Sequence, residues 1–391
     1  MKILMLNHNV IWRSTFFRAF YFGRELSDRG HEVTVVTISP HRLLRAEESV
    51  IEGVRVLQTP DLGVGLARTG WDPWDALLRT GRLLQEPFDV VHGFDCRPVV
   101  LVPSLALAVG GRVPWVSDWA DWWGRGGAIS ERKSFVGRVL FAPFETFLEE
   151  RFRSFAAQLT VTSRKLEARA LGMGLRRDRV HYVPSGANVR TVQVLDQSSS
   201  RRALGLPLDA PLAEFVGFVQ YDLELAIRAF AVARTRLPGA HLVLVGPRNR
   251  RAALLVTELG LAGAVHDLGP QPFDRIPECL AAADLLLMPC SDNLMNQARG
   301  PIKLGDYLAA GRAVLANPVG DMVEIFEHDE VGLMTAGEPE AYGAGMAELL
   351  SDRERCARLG QRARQVAEQK LAWRLLAPKL EAVYDLARAG Y

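Results

Sequence analysis

The chain reads as an α/β protein built from two doubly wound halves, and three observations carry that reading. Short apolar, β-branched segments alternate with longer segments of helical spacing. The alternation pauses once, at Val189–Ser200, and then restarts. The length of 391 residues also suits two domains of roughly 150–200 residues each, since single hydrophobic cores stop growing beyond about 250–300 residues.

Each element follows from local chemistry. Lys2–Leu6 is a short apolar run at the chain start and predicts a buried strand. Phe16–Arg29 has helical spacing, and Gly30 stops it. His31–Ile38, rich in Val and Thr, is the next strand, and Asp89–His92 follows Pro87 as another. Val99–Val109 predicts a helix after the Arg97-Pro98 turn, and Trp115–Ser117 a strand. Phe135–Phe155 is long and amphipathic; Gln158–Thr162 is a strand, Arg164–Leu171 a helix and His181–Pro184 a strand. The pause ends in Gln197-Ser198-Ser199-Ser200 and is read as the linker. Beyond it come strands at Ala213–Phe218, His241–Val245, Val265–Leu268, Leu285–Met288 and Ala313–Ala316. Helices at Leu223–Arg236 and Ala252–Leu259 lie between them, and Ala372–Ala389 is a last helix able to pack on either half. Alternating strands and helices imply parallel sheets covered on both faces, with ligands at the carboxyl ends of the strands. Two such halves place the expected site in a cleft between them.

Composition narrows the class. The 48% hydrophobic content excludes disorder, and 34 Gly and 21 Pro without a period exclude collagen-like sequence. No GxGxxG follows the first strand, which argues against a plain nicotinamide dehydrogenase. A net charge of +2 offers no reason to expect a nucleic-acid partner. That total hides a split: residues 1–190 hold 26 Lys+Arg and 20 Asp+Glu, and residues 191–391 hold 21 and 25. Cys96, Cys279, Cys290 and Cys356 lack metal spacing and read as thiols of a reducing compartment. Met1–Leu6 is too short for a signal peptide. Val99–Val109, with Pro103 and Ser104, is about half the roughly 20 residues a bilayer span needs. A cytoplasmic location is expected.

Several segments in order resemble one family. They are Arg29-Gly30-His31-Glu32-Val33-Thr34-Val35-Val36, Asp89-Val90-Val91-His92 and Val183-Pro184-Ser185-Gly186-Ala187-Asn188, the last at the family's domain junction. Leu242-Val243-Leu244-Val245-Gly246-Pro247, Ala282-Ala283-Asp284-Leu285-Leu286-Leu287-Met288-Pro289 and Pro301-Ile302-Lys303-Leu304-Gly305-Asp306-Tyr307-Leu308-Ala309-Ala310-Gly311 follow. Over almost its whole length the chain is similar to retaining glycosyltransferases of the GT-B fold, family 4. The resemblance implies two Rossmann-like domains: an acceptor domain at 1–190, a nucleotide-sugar domain at 191–371, and a helix at 372–391 that crosses back. It further implies transfer from a nucleotide-diphosphate sugar with retained configuration, no metal and no cofactor.

A leaving diphosphate needs fixed positive potential. Arg299 and Lys303 supply charge, Gly300 allows close backbone approach, and Pro301 suits the first helical position, so N–H groups of Leu304 and its neighbours would face an anion. Lys303 paired to Asp306 on a solvated helix start is the plainer alternative. By resemblance Asp306 grips the ribose, while the family's other motif acid is replaced by Ala298, with Asp292 or Asn293 as substitutes. The loop from Gly217 to Asp222 lacks the family's Arg and Lys, so Arg248 or Arg250 would add charge, unless both are ordinary loop arginines.

On the acceptor side Ser117–Gly127 is the densest cluster in the chain: Trp119 and Trp122 offer faces to sugar rings, and Asp121 and Arg125 offer polar contacts. Asp118 stands where relatives carry a catalytic histidine, and His92 is a second catalytic candidate. Tryptophans as core and aspartates as caps form the alternative. His8 and Arg13, after the first strand, would reach the acceptor by side chain. Basic-aromatic stretches at Arg13–Arg24 and Glu131–Phe155 suit peripheral contact at the inner membrane face and a lipid-linked acceptor. Burial of most of those phenylalanines, with Glu145, Glu149 and Glu150 diluting the basic face, is the plainer expectation. The rival functions are a non-catalytic nucleotide-sugar binder and a GT-B epimerase or phosphorylase.

Overall fold

The computed structural model describes residues 1–41, 45–61, 69–110, 112–131, 135, 139, 141–217 and 222–390. It divides into two compact units. The first comprises Met1–Ser185, Gln297–Gly300 and Trp373–Tyr391, and the second Gly186–Asn296 and Pro301–Ala372.

In the first unit the strands are β1 (Lys2–Val10), β2 (Glu32–Ile38), β3 (Glu47–Ile51), β4 (Val54–Thr59), β5 (Val90–Phe94), β6 (Trp115–Trp119), β7 (Gln158–Val161) and β8 (Val180–Tyr182). They form one sheet in the order β3-β4-β2-β1-β5-β6-β7-β8. Among the described residues only the β3–β4 pair is antiparallel. Its two-residue turn, Glu52-Gly53, has φ of 46° and 81°, the left-handed pair that a type I′ hairpin requires. The helices are α1 (Thr15–Asp28), α2 (Pro73–Leu83), α3 (Pro98–Gly110), α4 (Ala142–Arg151), α5 (Arg164–Gly172) and, at the end of the chain, α6 (Trp373–Ala389). Asp72 caps α2 by accepting from Trp74 and Asp75 N–H, with Pro73 at its first position. The final helix packs on α1, where Trp373 meets Phe22 at 4.8 Å between ring centres. Glu381 ties the same helix to Arg29 and His31.

β1 runs past the expected end at Leu6 to Val10, with an irregularity before Val10 pairs with Ile38. His8 and Asn9 therefore belong to the strand end, not to a loop. The long helix expected over Phe135–Phe155 is α4 followed by a 3₁₀ turn, Phe152–Phe155. Arg132, Lys133 and Arg138 of that stretch lie outside the described residues.

The second unit carries β9 (Leu212–Val216), β10 (His241–Val245), β11 (Val265–Gly269), β12 (Leu285–Met288), β13 (Ala313–Ala316) and β14 (Gly332–Met334). Their order is β11-β10-β9-β12-β13-β14, and every described pair is parallel. The serine-rich stretch read as linker begins a helix, Gln197–Leu204. Asp196 caps it, accepting from Ser199 N–H at 2.8 Å. Arg201 then pins it to Asp284 and the Ala282 carbonyl, both at 2.8 Å. Polar composition misled here because serine serves a first helical turn as well as a linker.

No helix among the described residues is long and apolar enough to cross a membrane.

Candidate functional site

In the second unit the chain order reverses between β9 and β12, and ligands of such sheets bind at the carboxyl ends of the strands flanking that point. Gly217 ends β9 with its N–H on the Val245 carbonyl at 2.9 Å. The rest of that loop, residues 218–221, lies outside the described residues. Asp222 does not cap the helix after it. Its carboxylate accepts from the N–H (3.1 Å) and hydroxyl of Ser291, joining the two loops on either side of the reversal.

The helix bearing the basic motif spans Ile302–Ala309. Pro301 is its cap residue, with φ −70° and ψ 112°, rather than its first helical residue. The Leu304 N–H turns to the Pro301 carbonyl at 3.1 Å, and the Leu304 side chain is buried, so its contribution is packing. Lys303 extends over aromatic rings, its Nζ 4.8 Å from the centre of Phe215 and 5.7 Å from that of Tyr307. Asp306 lies on the next turn, half-buried. Burial pushes its carboxyl up to about 7, against the Asn188 backbone N–H that it accepts. Its Oδ1 is buried without a hydrogen-bond partner. Gly305 explains how helix and junction meet: a Cβ there would lie 2.4 Å from the Gly186 carbonyl oxygen and 2.9 Å from Ala187 Cα. The motifs Gly186-Ala187-Asn188 and Lys303–Asp306, far apart in sequence, thus form one local structure. Arg248 is exposed, its Nε beside Gly269 at the end of β11.

In the first unit the chain order reverses between β1 and β5. Asp118, expected at the anomeric centre, has no exposed surface. Arg18 grips both its oxygens, Nε to Oδ2 at 2.9 Å and Nη2 to Oδ1 at 3.0 Å, and Thr160 donates to Oδ1 at 2.7 Å. Burial alone would raise its carboxyl; Arg18, His92 and Thr160 overcome that and hold it below the ordinary value. Arg18 also donates to the Val183 and Pro184 carbonyls, so the pair fastens α1 to the sheet. His92 is equally enclosed, with Nδ1 2.8 Å from the Tyr384 hydroxyl and Nε2 3.3 Å from Thr160 Oγ1. Burial lowers its pKa to about 4, so it is a neutral link to the final helix. Neither residue reaches solvent, and the partners around each give it a structural role in this unit.

Trp119 is likewise core. It is fully buried, donates to Glu149 at 2.8 Å, and has the guanidinium groups of Arg153 and Arg169 at 4.6 and 5.1 Å from its ring. Trp122 is half-buried under Arg169 at 3.7 Å and donates to the Arg125 carbonyl. The Arg125 side chain is exposed, as is Arg13. Asp121 differs from Asp118: it keeps exposed surface and sits 3.6 Å from Arg299. Burial raises its carboxyl, against the Arg299 charge. Gly300, read as an approach to phosphate, is required by packing, since a Cβ would lie 2.9 Å from both the Thr162 Cβ and carbonyl oxygen. Ala298, in place of the family acid, is fully buried beside Trp119 and Leu159.

His8 is buried with Nδ1 3.7 Å from Asp95 and 3.5 Å from the Phe94 carbonyl. Burial lowers its pKa to about 4. The sequence reading missed its neighbours Asp95 and Arg97. Arg97 pairs with Glu145 and lies 4.8 Å from the rings of both Trp71 and Trp123. Their position directly after β5, before Pro98, was the available signal. The loop after β1 lacks glycines, yet Trp12 and Ser14 take φ of 62° and 46°. Side-chain-bearing residues hold there a backbone that glycine adopts without strain.

Comparison with known proteins follows the same division. Residues 18–186 match the glycosyl transferase 4-like domain, and residues 196–366 match glycosyl transferases group 1. A D-inositol 3-phosphate glycosyltransferase of Nocardia farcinica is 33% identical over 202 residues, 49% of this chain and 44% of that protein. The chain spans about half the length of the curated relatives it matches. Among solved structures, sucrose-phosphate synthase from Thermosynechococcus elongatus superposes with a TM-score of 0.78 at 17% identity, covering 100% of both chains. Anabaena HepE in complex with UDP and glucose gives 0.73 at 18% identity, covering 98% of this chain and 99% of that one. With a 4-like domain followed by a group 1 domain on this two-sheet architecture, the chain belongs to the glycosyltransferases of the GT-B fold.

Proposed function

We propose that this chain transfers a sugar from a nucleotide-diphosphate sugar to a hydroxyl of a carbohydrate, lipid-linked or small-molecule acceptor. In this reading the anomeric configuration is retained, no metal takes part, and the enzyme works in the cytoplasm. The observation that carries it is Asp306, a carboxyl held in a tight helix-junction contact with one oxygen buried and unpaired. A nucleotide ribose presents two hydroxyl donors to such an acceptor. Lys303 and the N-terminus of its helix supply positive potential for the diphosphate. Arg299 and Asp121 form a partly exposed charged pair in the first unit. Asp121 takes over the role first assigned to Asp118: a carboxyl raised by burial accepts a hydroxyl proton more readily than one held down by a buried guanidinium that grips both its oxygens.

A second reading, donor binding without transfer, is favoured by the buried apolar setting of Ala298, which leaves no carboxylate there. Thermal-shift measurement against nucleoside diphosphates and their sugars tests the shared part, since a ligand of the native state raises the transition. Product formation on a donor and acceptor panel then separates the two readings. Lys303→Ala should lower turnover by about 100-fold or more with the fold intact. Unchanged turnover would remove the role of Lys303, and no shift with any nucleotide would overturn the donor site itself.

A further inference from the structure

The sheet of the second unit opens at its point of reversal. β9 keeps register with β10 to its last residue, Val216 against Val245, and β12 keeps it with β13 to Met288 against Ala316. Between β9 and β12 the register pairs are Leu285 with Ala213 and Leu286 with Glu214. Phe215 and Val216 on one side, and Leu287 and Met288 on the other, run on past that ladder. The Gly217 N–H reaches the Val245 carbonyl on the β10 side at 2.9 Å. Backbone groups of successive strand residues point to opposite neighbours, so those of Val216 face the gap towards β12. Val216 is buried, and its N–H and C=O need partners there.

Tyr307 supplies both. Its hydroxyl accepts the Val216 N–H at 3.1 Å and donates to the Val216 carbonyl at 3.4 Å. The side chain is fully buried and comes from the helix Ile302–Ala309, one turn beyond Lys303. A residue of the helix that carries Lys303 and Asp306 thus stands in for the missing strand partner, and Lys303 Nζ lies over its ring. Farther along the chain, Ser291 donates its N–H and hydroxyl to Asp222, closing together the loops that leave β9 and β12.

We propose that Tyr307 and the Asp222–Ser291 clasp are positioning residues for the donor: they fix the separation of the strand ends between which the diphosphate binds, and fix it relative to Lys303. The inference rests on the proposed function. The Tyr307 hydroxyl acts through Val216 and the loop that Gly217 begins, and small displacements of positioning groups carry large costs.

Tyr307→Phe keeps the ring beneath Lys303 and removes only the hydroxyl. Calorimetric titration with UDP, ADP and GDP should show the nucleotide that wild-type protein prefers binding about tenfold more weakly to this variant. Ser291→Ala, which removes an exposed hydroxyl and keeps the N–H, should cost about threefold and stands in if the phenylalanine variant does not fold. Leu349→Ala, a cavity on the other face of the same sheet, is the control for lost stability. It should lower the unfolding transition and leave the nucleotide affinity of the folded protein unchanged. Wild-type affinity in whichever of the first two variants fold would overturn the inference and leave the proposed function standing. An equal loss of affinity in Leu349→Ala would also overturn it, because any destabilisation would then have the same effect. A wild type that binds none of the three nucleotides would overturn the proposed function and the inference with it.

Discussion

Replacing Asp306 by Asn should make the protein more stable and less able to bind its donor. The wild-type carboxyl titrates near 7 in the folded chain because it is buried, against about 3.9 in the unfolded chain. A folded value above the unfolded one means that the native state holds the proton longer. Stability is therefore unaffected below about pH 4, falls as the pH rises through the interval up to 7, and stays reduced above it. The full shift corresponds to about 4 kcal/mol; solvent access to this half-buried group reduces that to about 1–3 kcal/mol. Asn keeps the shape and can still accept from Asn188 N–H, but it carries no charge to desolvate. Urea unfolding at pH 5 and pH 8 should show the wild type losing about 1–3 kcal/mol between the two and the variant losing much less. Donor affinity should move the other way. Two hydroxyl bonds to an ionised acceptor contribute about 1.5–3 kcal/mol each, so nucleotide binding should weaken by about 100-fold or more at pH 8. It should also strengthen with rising pH in the wild type, as the carboxylate forms. A variant with the wild-type pH dependence of stability would refute the burial argument. A stabilised variant with unaltered nucleotide affinity would refute the ribose assignment.

Asp118→Ala should destabilise the first unit by about 3–5 kcal/mol, because the Arg18 guanidinium would be left buried without its counter-charge. Denaturant unfolding measures this, and a stable variant lacking turnover would return Asp118 to the chemistry. Since the Asp118 carboxyl is depressed, its contribution should be present at neutral pH and disappear in acid, as pH falls through its folded value. Gly305→Ala should cost about 1–3 kcal/mol, because the new methyl meets backbone of Gly186 and Ala187 rather than a yielding side chain. It should also weaken nucleotide binding by displacing the Asn188 N–H from Asp306; an unchanged transition temperature and affinity would remove that coupling.

Periodicity and breaker residues made the sheet strands legible, with His241–Val245, Leu285–Met288 and Ala313–Ala316 falling where the apolar runs lie. Each is a buried parallel strand whose sequence is apolar on both faces, so no partner is needed to recognise it. The hairpin of β3 and β4 was missed although Glu52-Gly53 carries a turn signal, because Glu47 and Glu48 gave the strand a charged, edge-like pattern. The linker reading of Gln197–Ser200 failed because the helix's anchors, Gln197 and Arg201, act through Asp284 and Ala282, more than 80 residues away.

The site shows the same division more sharply. By itself the sequence determined which residue types stand at which strand ends, and hence the family and the candidate groups Lys303, Asp306 and Asp121. Only the tertiary structure decided which of two aspartates three residues apart keeps exposed surface. Asp118, within β6, points into a buried cluster with Arg18 and Thr160, whereas Asp121, beyond the strand end, keeps its exposed surface beside Arg299. The spacing of Phe141, Phe144 and Phe147 likewise predicted one helix face but not its direction. That was settled by Arg97, Arg169 and the Trp119 indole, which gave Glu145 and Glu149 of α4 better partners inside than water offers outside. Local pattern sets the periodicity of a segment; the desolvation of its charged groups, and the partners available to offset it, set which side faces in.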